Sequence, residues 1–148
     1  MERRFAVAFD DKSVLIRRPV DERMAGEIYS RSSGTLLTCS AAIAAAERLG
    51  TDPLEIGRAA DVMGIRLTAC QLGFFGFPGR AKGWAGVAGR PGPPGFEDAV
   101  RSVRSEGGSI SCADLWNVAE RFSVPRILAG YIADRLGIDV RSCQLGAF

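Results

Sequence analysis

Apolar positions along this chain fall at helical spacing in two separate stretches. Leu115, Ala119 and Phe122 stand at i, i+4 and i+7, and Ala42, Ala46 and Leu49 stand in the same way earlier in the chain. Each set predicts a helix with one buried stripe, starting near Cys112 and Cys39. A second helix is expected after each. Leu54, Gly57, Ala60 and Met63 form the inward face of one, and Ile127, Gly130, Ala133 and Leu136 that of the other. Asp52-Pro53-x-Glu55 is a start signal: Asp52 can accept from orphan backbone N–H groups, Pro53 suits the first turn, and Glu55 can complete a capping box. Ser123 before Val124-Pro125 is a weaker signal of the same kind. Gly64 and Gly137 supply left-handed stops.

Strand signals flank these helices. Residues 65–72 and 138–145 read as strands, and Leu36-Leu37-Thr38 and Ser109-Ile110-Ser111 as very short ones. Further upstream, Met24, Ala25 and Ile28 share one face of a short helix over 21–30, and 96–104 is a matching stretch. At the front, 4–9 alternates, Asp10-Asp11-Lys12 is a turn, and Val14-Leu15-Ile16 makes a second strand, which predicts a hairpin.

The recurrence is a duplication. Residues 37–75 align with 110–148 without a gap, at an offset of 73, with 14 of 39 positions identical. The shared residues include Cys39/Cys112, Ala46-Glu47-Arg48/Ala119-Glu120-Arg121, Gly57/Gly130, the Cys-Gln-Leu-Gly runs that start at Cys70 and Cys143, and Phe75/Phe148. One structural unit has been used twice. Between the copies, 76–95 holds seven glycines and four prolines in 20 residues, which no helix or central strand tolerates. It reads as a linker or an extended flap. The expected organisation is an N-terminal hairpin (1–18), a first module (19–75), a Gly/Pro-rich basic linker (76–95) and a second module (96–148). The fold class is mainly α with short β, an α+β fold.

Helix, tight turn, helix and strand, preceded by another helix and a short strand, resembles the winged helix-turn-helix arrangement at the superfamily level. Ala46, Leu49, Gly50, Ile56 and Gly64-Ile65 carry the resemblance in the first copy. Ala119, Phe122, Val124, Ile132 and Gly137-Ile138 carry it in the second, which departs with Ser123 at the turn and Ala129 in place of Ile56. The resemblance implies a pair of DNA-binding modules whose second helices meet the major groove. On those helices Arg126, Tyr131 and Arg135 are the candidate contacts in the second copy, with Arg58 in the first.

Charge and composition narrow the picture. At 148 residues, 47% apolar and 24% charged, the chain is globular in composition. A net charge of +2 neither demands nor forbids a polyanion partner. There is no histidine, so Ser–His–Asp and Cys–His catalysis and histidine-containing zinc sites are excluded, and no catalytic constellation remains visible. No stretch approaches a membrane span, and the N-terminus lacks the core of a secretory signal, which leads us to expect a cytoplasmic protein.

Arg80, Lys82 and Arg90 make the linker purely basic, with Trp84 among them. It is either a basic arm that follows a nucleic-acid groove, a plain spacer, or a flap docked on a module through Trp84 and Phe74-Phe75-x-Phe77. Cys39 and Cys70 are 31 residues apart, as are Cys112 and Cys143. Without any Cys-x-x-Cys pair they are read as buried thiols, with metal ligation and redox switching as alternatives. No cofactor is expected. Gln71 and Gln144 are expected to satisfy backbone groups where the last strand bends, and Asp61 and Asp134 to pair with Arg48 and Arg121. Two function classes stay open: a DNA-binding transcriptional-regulator-like protein, and a protein-interaction adaptor built from tandem winged helices. A cysteine-ligated metal or redox protein is third. The expected partners are double-stranded DNA or a protein, with no membrane, and a homodimer through the hairpin is a further expectation.

Overall fold

The computed structural model describes residues 20–148. The hairpin expected over 1–18, and any dimer contact through it, lie outside the described residues. Within the described residues six helices and four strands run in this order: α1 (Glu22–Arg31), β1 (Leu36–Thr38), α2 (Cys39–Leu49), α3 (Pro53–Val62), β2 (Arg66–Thr68), α4 (Phe96–Val103), β3 (Ser109–Ser111), α5 (Cys112–Arg121), α6 (Arg126–Arg135) and β4 (Asp139–Arg141). The series α, β, α, α, β therefore occurs twice, and the chain is mainly helical with short strands. Among the described residues no helix is long and apolar enough to cross a membrane.

Capping explains where the helices begin. The Asp21 side chain accepts from the Arg23 N–H at 2.7 Å and opens α1. Thr38 and Ser111 accept from Ala41 and Asp114, at 3.1 and 3.0 Å, and open α2 and α5. Asp52 accepts from Leu54 at 3.0 Å with Pro53 at the first helical position, as the sequence signal requires. Ser123 behaves differently from its expected role. The cap of α6 is Pro125, which offers no side-chain bond, whereas Ser123 takes the left-handed turn conformation, φ 54°, that Gly50 takes at φ 65° in the first copy. The second turn is thus the same turn, built on a residue that is strained there.

The strands are shorter than the sequence suggests. β1 pairs in parallel with β2, and β3 with β4, each over three residues. A parallel pair needs a crossover, here the two helices between its strands. The expected strands 65–72 and 138–145 stop because Ala69 and Ser142, which coincide at the repeat offset, adopt positive φ of 50° and 58°. Beyond each of them the backbone is an irregular tail rather than a strand.

The chain divides into two compact units. Of the described residues, one comprises those up to Thr68 with Leu145–Ala147, and the other Ala69–Gln144 with Phe148. The Cys-Gln-Leu-Gly run after β2 therefore belongs to the second unit, whereas of the corresponding tail after β4 only Leu145–Ala147 belongs to the first. In the first unit, a Cβ on Gly57 of α3 would collide with the carbonyl of Leu145; in the second, a Cβ on Gly130 of α6 would collide with that of Leu72. Repetition of glycine at this place follows from that close approach. It also widens the buried arc beyond the expected stripe: Ile56, Gly57, Arg58, Ala59 and Ala60 are buried on α3, and Leu128, Ala129, Gly130, Ile132 and Ala133 on α6. In the second unit the core gathers Phe96, Val100, Ile110, Leu115, Ile132 and Leu72.

The segment 76–95 is no free spacer. It packs within the second unit, where Trp84 donates its indole N–H to the Leu72 carbonyl at 2.8 Å and the Gly89 N–H donates to the Tyr131 hydroxyl at 2.7 Å.

Candidate nucleic-acid interface

The residues expected to read DNA fall into two groups. Arg58 lies in the buried arc of α3, 4% exposed, with its Nε 3.0 Å from a Glu55 carboxylate oxygen one turn away. Arg126 lays its guanidinium over the Trp116 ring, 3.6 Å from the centroid, and donates to Gln71 Oε1 at 2.7 Å. Each of these cations has a partner within its own unit. Tyr131 meets the Trp84 ring edge to face at 6.1 Å while its hydroxyl accepts from Gly89. Arg135 reaches Glu97 of α4 at 2.7 Å. Of these α6 side chains only Tyr131 meets the 76–95 segment, and the Arg135 side chain stays 37% exposed beside Glu97.

Arg80, Lys82 and Arg90 are all exposed. No acidic residue lies between Asp61 and Glu97, so this part of the chain carries Arg66, Arg80, Lys82 and Arg90 against no carboxylate. Lys82 donates to the Phe74 carbonyl at 3.3 Å and sits 5.2 Å from the Phe74 centroid and 5.8 Å from that of Trp84. The loop is held by Trp84, by Gly89 and by a bond from the Gly83 N–H to the Gly73 carbonyl at 2.9 Å. A Cβ on Gly83 would meet the Phe77 ring, which would have to shift to admit it. The cations therefore stand on fixed backbone. Fixing them beforehand lowers the ordering cost of meeting an anion.

Comparison with family models, curated proteins and solved structures finds no match.

The cysteines form no ligand set. None of the four is in a disulfide, and among the described residues no group of three or more Cys, Asp or Glu side chains is placed to hold a metal ion. Cys39 belongs to the first unit, and Cys70, Cys112 and Cys143 to the second. Burial pushes the Cys112 thiol up to about 11, against a hydrogen bond from Gln144 Nε2 to its sulfur at 3.5 Å that works the other way. A thiol of that kind stays protonated and unreactive at neutral pH.

Gln71 accepts from Arg126, and Gln144 donates to Cys112, side-chain contacts that the sequence reading did not include. Arg48 pairs with Glu27 of α1 at 3.2 Å, and Arg31 joins the same carboxylate at 2.6 Å. These cations hold the Glu27 carboxyl below its ordinary range. The role of Glu27 was not legible in the sequence, since it lies outside the aligned repeat. Phe74, Phe75 and Phe148 gather near the basic loop, and nothing in their apolar character alone reveals that Phe148 joins the other two.

Proposed function

We propose that the protein is a DNA-binding, regulator-like protein that meets its polyanion through the docked basic loop of the second unit rather than through an inserted helix. The observation that carries this reading is the exposure of Arg80, Lys82 and Arg90 on a loop whose backbone is fastened by Trp84 and Gly89. The helix, tight turn and helix of each unit remain the ground for the winged helix-turn-helix resemblance. In this reading they act as the scaffold that carries the loop. Phosphate contacts by three cations release counterions, so the logarithm of affinity should fall with the logarithm of salt at a slope of about −3.

The test is fluorescence anisotropy of a labelled mixed-sequence duplex, titrated from low to physiological salt. Replacing Arg80, Lys82 and Arg90 together by Ala should remove most of the affinity and flatten the slope, with the melting temperature unchanged. Binding that ignores salt, or none at low salt, overturns the reading.

A protein-interaction adaptor is the second reading. Residues 20–68 carry five arginines against seven carboxylates, the reverse of the loop, and expose Tyr29, Leu36 and Val62. Failure of the duplex experiment favours it.

A further inference from the structure

We propose that the aromatic surface beside the basic loop takes unstacked bases, which makes single-stranded DNA a ligand of the second unit; the inference rests on the nucleic-acid reading above and names the form of its ligand. Rings of this unit are linked edge to face. Phe74 meets Trp84 at 5.1 Å and an interplanar angle of 85°, and Phe148 at 6.2 Å and 61°. Phe75 meets Phe148 at 6.1 Å and 77°. Phe75 and Phe148 coincide at the repeat offset, so the duplication supplies both partners of that contact.

Edge-to-face packing fixes ring orientation without burying every face. Phe148 keeps 44% of its surface in solvent, and Phe74 and Phe75 are half-buried. Lys82 stands over Phe74 and Trp84, so a cation and π faces are offered side by side. A duplex cannot use such rings, because its bases already stack on one another. A single strand can, with bases on the rings and phosphates on Lys82 and Arg80. Charge complementarity selects a polyanion, and the exposed rings select one with free base faces.

The experiment uses the full chain with labelled oligothymidylate of about 15 nucleotides, the upper range for one small binding domain, and a duplex of the same length, both at about 50 mM salt. The expected result is binding of the single strand at least as tight as that of the duplex. Phe148→Leu, which keeps apolar bulk but removes the ring, should weaken the single strand about tenfold and leave the duplex unchanged. Phe148→Trp should restore it, and Lys82→Ala should lower the salt slope for both ligands. Duplex binding without single-strand binding, or a Phe148→Leu protein that holds oligothymidylate as the parent does, overturns this inference and leaves the DNA-binding reading standing. Absence of binding to either ligand overturns both.

Discussion

Gly57 and Gly130 show how one missing methyl group decides a packing contact. Each lies on the second helix of its unit, and each has a carbonyl of the Cys-Gln-Leu-Gly run where a Cβ would go. Gly57→Ala and Gly130→Ala should each destabilise the protein by about 1–3 kcal/mol, since backbone has to move on one side or the other. Gly26, also inside a helix, has nothing within 4 Å of its Cβ position, so Gly26→Ala should stabilise by about 0.5–1 kcal/mol. Urea unfolding of the three variants checks the contrast in sign.

Arg126 follows the same logic from the other direction. Its guanidinium covers Trp116 and bonds to Gln71, so Arg126→Ala should lower the unfolding midpoint. A variant that melts like the parent would show that the stacked contact contributes nothing to stability. Cys112 supplies a pH dependence. Its folded thiol ionises at about 11 against 9.0 in the unfolded chain, so the protonated form is favoured by folding. That contribution is complete below pH 9.0, falls as pH rises toward about 11, and amounts to about 2–3 kcal/mol. In Cys112→Ala the alkaline loss of stability between those limits should shrink, as read by denaturation at stepped pH.

At the scale of elements, the caps and turns carry the repeat. Thr38→Ala and Ser111→Ala should each cost about 1 kcal/mol, because each leaves an orphan N–H at a helix start. Ser123 holds the conformation that Gly50 holds without strain. Ser123→Gly should therefore stabilise by up to about 1 kcal/mol, and Gly50→Ser should cost a similar amount. Thermal melting of the pair tests whether the two turns are equivalent. Both second helices were legible in the sequence from apolar spacing and from Asp52-Pro53, but their exposure was not. The arc that includes Arg58 is buried because α3 is enclosed on more than its expected stripe. Apolar spacing reveals the face that a helix turns toward its own partner helix, and says nothing of segments that arrive from elsewhere in the chain.

At the scale of the whole molecule, the repeats in the sequence and the compact units in space do not share their boundaries. The second unit starts at Ala69, well before the second repeat, and Leu145–Ala147 belongs to the first. The Gly/Pro-rich segment, which composition marks as a spacer, becomes the anchored platform for the exposed cations Arg80, Lys82 and Arg90. Loosening that platform without touching charge isolates its role. Trp84→Leu removes the bond to the Leu72 carbonyl, and should weaken DNA binding several-fold while the salt slope, set by the number of cations, stays near its parent value. Loss of affinity with loss of slope would assign the effect to displaced cations instead.

The amino-acid order alone determined the duplication, the helices and the Asp52 cap, the absence of histidine chemistry and the basic character of 76–95, because each depends on residue patterns along the chain or on composition. Only the tertiary structure decided which cations are exposed, that Gln71 bonds Arg126, that the expected long strands end at Ala69 and Ser142, and that Phe74, Phe75, Trp84 and Phe148 gather beside the loop. Those outcomes depend on contacts between residues as far apart as Phe74 and Phe148. A local pattern fixes which way a side chain points from its own helix or strand. What covers that side chain is settled by long-range packing.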